Sequence, residues 1–165
     1  MNRKYILDQV TAAHKLQRMA LEVAEQLSGE AAPLVIIGVK GTGMVIAEKI
    51  AQLVRQYLTN PVQVMTVSLD KQLPREVELS ESIDLTGRHI LLVDDVTNSG
   101  RTLLYALKPL LQYHPRTIHT LVLVERMHKQ FPVNADFVGL SIATTQEDHI
   151  QVDVADGEVV SAYLL

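Results

Sequence analysis

The chain has 165 residues, 47% of them hydrophobic, which is enough for a buried core and fits one domain better than two. It contains no cysteine, so disulfides, zinc–thiolate sites and thiol nucleophiles are excluded, and a reducing, cytoplasmic setting is expected. A formal charge of -4 gives no overall pull toward nucleic acid or an anionic membrane, and no stretch approaches the ~20 apolar residues of a membrane span.

From Asp8, a candidate N-cap, helical spacing places Val10, Ala13, Leu16, Ala20, Val23 and Leu27 on one face, and Ser28-Gly29 supplies the stop. PLVIIGV (33–39) is continuously apolar and rich in β-branched residues, as in a strand covered on both faces. Gly41-Thr42-Gly43 leads from it into the helical pattern of residues 44–58, and PVQVMTVS (61–68) is the next strand. Residues 69–88 are mostly charged and polar without a sustained period. They read as a long loop or mobile hairpin, and loops of that length in compact domains tend to be lids or binding segments. HILLV (89–93) is a further strand and residues 99–113 a helix, in which Pro109 predicts a kink or an early end near Lys108. Residues 117–124 and 136–142 are strands. The tail IQVDVADGEVVSAYLL (150–165) reads as a hairpin around Asp156-Gly157, a candidate antiparallel edge. Strands alternating with helices predict an α/β fold: a doubly wound, mostly parallel sheet flanked by helices, with residues 1–165 as a single domain.

The chemistry concentrates where HILLV runs into Asp94 and Asp95. In an open parallel sheet ligands bind beyond the carboxyl ends of the strands, which is where these acids fall. The following loop, Thr97, Asn98, Ser99, Gly100, Arg101 and Thr102, enters a helix whose first amides lack internal partners. Such a loop suits a phosphate, with the hydroxyls of Ser99 and Thr102 helping and Gly100 letting the backbone approach. Two carboxylates would repel that phosphate and instead suit hydroxyls or a cation, so the combination asks for a ligand shaped like a ribose 5-phosphate. Adjacent acids at a strand end are often only solvated, and a serine before a helix only a cap; the coincidence of acids, glycine loop and helix start favours the site. A receiver domain carries its paired acids near the N-terminus, and a haloacid-dehalogenase nucleophile needs Asp-x-Asp; neither pattern is met.

LLVDDVTNSGRTL resembles the phosphoribosyl-pyrophosphate (PRPP) signature of type I phosphoribosyltransferases, matching at Asp94, Asp95, Val96, Ser99, Gly100 and Thr102. Thr97 and Asn98 stand where that family usually has an aliphatic and a small residue. Within the family the chain is most similar, almost end to end, to the pyrimidine operon attenuators with uracil phosphoribosyltransferase activity, through VIIGVKGTGMVIAEKIA, DLTGRHILLVDDV, LVLVERMH and PVNADFVGLSIATT. The resemblance implies the type I phosphoribosyltransferase fold with a mobile lid loop carrying Lys71 and Arg75. It implies Asp94 and Asp95 as catalytic acids holding the ribose hydroxyls, and residues Thr97 to Thr102 around the 5'-phosphate. Lys40, Gly41, Thr42 and Gly43 would form the pyrophosphate loop, in which attenuators generally carry arginines at the positions of Lys40 and Thr42. Arg126 would contact the base, although Glu125 and Met127 replace the Asp and Gly usual beside it. Mg²⁺ is the implied cofactor, held mainly by substrate oxygens and water with no protein cage.

The activity so implied is transfer of the phosphoribosyl group of PRPP to a nucleobase, with uracil giving UMP and pyrophosphate. Two alternatives stand beside it: a nucleotide-sensing attenuator that binds an mRNA leader with little catalysis, and a transferase for a purine. Basic residues are scattered along the chain, and two Phe with no Trp leave few platforms for stacking bases, so RNA binding is the weaker expectation. The family implies a homodimer or a higher homo-oligomer.

Overall fold

A computed structural model of the chain describes residues 2–70 and 76–165. The helix expected from Asp8 forms as α1 (Gln9–Gln26), and Asp8 caps it by accepting the amide of Thr11 at 2.7 Å. Its buried face runs through Ala12, Leu16, Met19, Ala20 and Val23; Val10, expected on that face, is 65% exposed, and Ala13 is exposed as well. A short strand that the sequence pattern did not disclose, β1 (Lys4–Leu7), precedes the helix, and its buried Leu7 joins Ala12 and Leu16 in the core.

The main sheet contains β2 (Leu34–Val39), β3 (Val62–Leu69), β4 (Val77–Leu79), β5 (His89–Thr97), β6 (Thr117–Arg126) and β7 (Phe137–Ile142) in the order β4-β3-β2-β5-β6-β7. The pairs from β3 to β7 are parallel, and β4 lies antiparallel on β3. β4 falls within the segment expected to be a long loop or hairpin; Lys71 and Arg75 lie outside the described residues.

Helices cover both faces, which is why β2 is buried at every position. Leu34 and Ile36 pack with α1 and α2 (Thr42–Val54), whereas Val35 and Ile37 pack with Leu103 and Ala106 of α3 (Arg101–Ala106). Pro109 ends α3 early: a 3₁₀ turn, Lys108–Leu110, replaces the last turns of the expected helix.

The tail forms the expected hairpin, β8 (Ile150–Ala155) and β9 (Glu158–Leu164), turning through Asp156 and Gly157 with φ of 53° and 75°. It does not extend the main sheet. β9 pairs with β1, giving a separate three-stranded sheet in the order β1-β9-β8, and Ile150, Val152, Val159 and Ala162 pack into the cluster that holds Val93 and Ile46. No helix among the described residues is long and apolar enough to cross a membrane.

The face of α1 that meets the core can be tested directly. Met19→Ala should cost about 2–5 kcal/mol of unfolding free energy, while Val10→Ala should stay within about 0.5 kcal/mol of wild type. Urea titration of both variants measures the two values, and equal effects would contradict the assigned face.

Candidate active site

The sheet order creates the site. From β2 the chain builds outward through β3 and β4, then returns to the other side of β2 as β5 and continues through β6 and β7. The loops that leave β2 and β5 therefore diverge, and the crevice between them lies at the topological switch point, where open α/β sheets bind ligands. The hydrogen bonds show the parting. Pairing of β5 with β2 ends at Gly38 and Val93, whereas pairing of β5 with β6 continues to Thr97 and Glu125. Past β2, the amide of Lys40 turns away to the carbonyl of Val67 at 2.9 Å.

The two acids expected at the rim do not play equal parts. Asp94 is 1% exposed: its Oδ1 accepts the amide of Asp95 at 2.8 Å and lies against the first turn of α2. A Cβ on Gly43 would stand 2.7 Å from that oxygen and 3.2 Å from the Asp94 Cα, so only glycine lets the helix come this close. The N-cap of α2 is Gly41, which offers no side-chain bond, and a carboxylate beside the uncapped helix start is electrostatically favourable. Asp95 is half-buried, with Oδ1 accepting the amide of Val96 at 2.8 Å, and is the more exposed of the two acids.

Beyond Asp95, residues Val96 to Thr102 line a cavity of about 200 Å³. Gly100 makes the turn with φ of 88° and caps α3 without a side-chain bond, while Ser99 Oγ accepts the amide of Arg101 at 3.2 Å. The loop is braced from outside. The Ser99 carbonyl accepts the amides of Gln130 and Phe131 at 3.0 and 2.9 Å, the Phe131 carbonyl would stand 3.2 Å from a Cβ on Gly100, and the Arg101 guanidinium lies 5.2 Å from the Phe131 ring centre. Thr97, 3% exposed, has its hydroxyl buried at the base of this loop with no hydrogen-bond partner. The structure thus brings all the residues of the expected phosphate loop around one cavity. Such a seat, rich in backbone N–H groups and hydroxyls, suits a phosphate.

The other predicted residues fall on the flanks. Lys40 and Gly41 are exposed, and Lys40 shares a cavity on the β3 side with Ser68, Asp70, Glu76 and Glu78, away from the phosphate seat. Thr42 is half-buried at the start of α2. Arg126 lines a larger cavity of about 680 Å³ that shares Asn98 and Ser99 with the phosphate seat. Its terminal nitrogens donate to the carbonyls of Thr145 at 2.8 Å and Asp148 at 2.5 Å. Beside it Glu125 pairs with Lys129 and accepts the Ser141 hydroxyl at 2.9 Å. Residues 145–148 were not foreseen as part of this wall; the one signal was a threonine three positions before an aspartate, a spacing that closes a local turn. The brace from Phe131 left no trace in the sequence. Among the described residues no group of three or more His, Asp or Glu is placed to hold a metal. The oxygen donors beside the crevice are hard ligands of the kind magnesium accepts when substrate and water supply most of its shell.

The fold is that of the phosphoribosyltransferases. It matches the hypoxanthine phosphoribosyltransferase of Trypanosoma cruzi with a TM-score of 0.82, at 19% identity, over 98% of this chain and 95% of that one. It matches a hypoxanthine-guanine phosphoribosyltransferase of Bacillus anthracis with a TM-score of 0.74, at 19% identity, over 96% of each chain. The family model for the phosphoribosyl transferase domain matches residues 4–156, and the chain belongs to that family. Its relatives include the bifunctional protein PyrR of Latilactobacillus sakei, 34% identical over 90% of this chain and 89% of that protein. Another is the pyrimidine operon regulatory protein of Lactococcus lactis, 31% identical over 94% of this chain and 92% of that protein.

Two outcomes test the geometry. Gly43→Ala should lower kcat/KM about a hundredfold, because a displacement near 1 Å at the crevice is amplified in the transition state; steady-state kinetics beside a thermal melt separate this from unfolding, and unchanged kinetics would show that the contact with Asp94 is slack. Asp148 is held below the ordinary aspartate range mainly by the Thr145 amide and then by its hydroxyl. Its contribution is therefore complete above the unfolded value of about 3.9 and is lost as pH falls through the lowered folded value. A carbon-13 titration should place the midpoint of Asp148 below that of an unfolded aspartate; a midpoint at or above it would contradict the turn.

Proposed function

We propose that the chain transfers the phosphoribosyl group of PRPP to uracil, giving UMP and pyrophosphate. The observation that carries this reading is the phosphate seat of residues 97–102 opening directly beyond Asp95 at the switch point of the sheet. A ribose 5-phosphate with its phosphate in that seat would bring its ring hydroxyls back toward Asp95, the more exposed acid. Asp94 acts from behind, tying the first turn of α2 and the pyrophosphate loop (Lys40, Gly41, Thr42, Gly43) to the end of β5. The pyrimidine assignment draws on the relatives, one of which is named for regulation of a pyrimidine operon. The purine phosphoribosyltransferases share the fold at 19% identity and bear on fold alone.

In the reaction a ring nitrogen of the base forms a bond to C1 of the ribose as the bond from C1 to the pyrophosphate oxygen breaks. The bonding pair leaves with pyrophosphate, and the N–H proton of the base passes to water. Positive charge develops on the sugar, and the Asp95 carboxylate stabilises it while fixing the hydroxyls in place. Bound Mg²⁺ would supply countercharge to the pyrophosphate oxygens, and the residues fit that role if substrate and water complete the shell. Lys40, at the exposed end of the pyrophosphate loop, adds a point charge in place of the bidentate contacts an arginine would make. Arg126 belongs to the wall that receives the base. Lys71 and Arg75 complete the proposal as lid residues that exclude water.

A second reading is a nucleotide-sensing regulator that binds an mRNA leader; what speaks for a regulatory role is that one relative is named a pyrimidine operon regulatory protein. Phosphate-driven RNA binding of that kind weakens steeply with salt, which distinguishes it in a gel shift.

Incubation of the protein with PRPP, magnesium and uracil should yield UMP and pyrophosphate, and Asp95→Asn should lower kcat by roughly 10²–10³ with an unchanged melting midpoint. Wild-type rates in Asp95→Asn would remove this residue from the mechanism, and absence of UMP with the native chain would remove the transfer reading.

A further inference from the structure

The wall of the larger cavity holds polar groups outside the phosphate seat. Arg126, the last residue of β6, commits its two terminal nitrogens to the carbonyls of Thr145 and Asp148. The amide and hydroxyl of Thr145 in turn donate to the Asp148 carboxylate at 2.9 and 3.0 Å, which closes residues 145–148 into a strap. The Met127 amide donates to the Ile142 carbonyl at 3.0 Å, so the ends of β6 and β7 hold both roots of this structure together. Directly before the strap stands Thr144. It lines the cavity, yet its hydroxyl is buried there without a hydrogen-bond partner.

An unpartnered hydroxyl costs free energy for as long as it lasts. Rotation about the single χ1 of threonine moves the hydroxyl to another staggered position, and a polar edge within the cavity gives that rotation a hydrogen bond to gain. The kind of edge follows from position and charge. The cavity shares Asn98 and Ser99 with the phosphate seat, so a nucleotide whose phosphate occupies the seat extends its far end into this space. A neutral hydroxyl that both donates and accepts suits a ring carbonyl next to a ring N–H, the lactam edge of an oxo-pyrimidine or oxo-purine.

We propose that Thr144 is a specificity-determining residue that reads the lactam edge of the base, and that Arg126 is a positioning residue that holds Thr144 in place through the strap. This rests on the phosphoribosyl-transfer reading for the identity of the ligand. It goes beyond that reading by moving base selection from the arginine to a threonine to which the sequence analysis gives no role.

The test is calorimetric binding of UMP, IMP and ribose 5-phosphate to the full chain and its variants. Thr144→Val keeps the shape and removes the hydrogen bond; UMP affinity should fall about tenfold, with ribose 5-phosphate unaffected, and Thr144→Ser should restore it. Arg126→Lys keeps the charge but not the fork. It should weaken UMP, spare ribose 5-phosphate and raise amide exchange across 145–148, whereas a residue that only touched the base would leave exchange unchanged. Thr144→Val that binds UMP as tightly as the native chain, or that loses UMP and ribose 5-phosphate equally, overturns the proposal, as does a native chain that binds neither nucleotide. Failure of the transfer reading looks different. IMP bound in preference to UMP, with the same loss in Thr144→Val, removes uracil and upholds the edge-reading threonine; nucleotide binding that depends on Thr144 in a chain that makes no UMP removes catalysis and upholds it too.

Discussion

The contact between Gly43 and Asp94 is the constraint on which the site depends. Two loops that leave neighbouring strands in opposite directions have to be held at a fixed separation if one is to grip pyrophosphate and the other ribose 5-phosphate. The chain solves this by driving the uncapped start of α2 onto a buried carboxylate at the end of β5, with no side chain at residue 43 to keep them apart. The carboxylate is favourable there because the helix start carries partial positive charge. It also orders its own strand end by accepting the next amide. One buried acid therefore fixes how closely the start of α2 approaches the end of β5, and the neighbouring acid is the more exposed of the two.

Around this contact each element has a positional reason. β2 is short and wholly apolar because helices cover both its faces, and it ends where the crevice must open. β5 runs on past it, supported on its other side by β6, and so carries Asp95 and the start of the 97–102 loop beyond the last residues paired with β2. The seat itself is rigid from behind, since the Ser99 carbonyl is anchored by two amides of the 130–131 segment. Little rearrangement is then needed when a phosphate binds, and preorganised donors of this kind stabilise charge at low cost.

Much of this was legible in the sequence. Long apolar runs marked the central strands, Asp8 marked the start of α1, Pro109 marked the end of α3, and Asp156-Gly157 marked the hairpin, because each signal is local. β1 was not legible: Tyr5 is 62% exposed, so the strand shows little apolar pattern, and its partner β9 lies at the far end of the chain. Val10 and Ala13 were placed on the wrong face of α1 because the spacing Leu16, Ala20, Val23 and Leu27 extends backward equally well through either set of residues. In the site, the doublet of acids and the glycine loop were visible, but their division of labour was not. Nothing in Asp94-Asp95 distinguishes the acid that meets a helix from the one that meets solvent; that depends on the approach of Gly43 from fifty residues away. The docking of Arg126 on residues 145–148 was hidden for the same reason, since these partners lie 19 and 22 positions further along the chain.

The central claim is that the crevice between the ends of β2 and β5 is where phosphoribosyl pyrophosphate binds. Mapping backbone amide shifts by NMR while PRPP and magnesium are titrated into the protein addresses it directly. The account predicts the largest shifts at residues 95–102, with a second group at 40–43. Largest shifts on the opposite rim of the sheet, around residues 28–31 and 57–60 where a separate cavity lies, would contradict it.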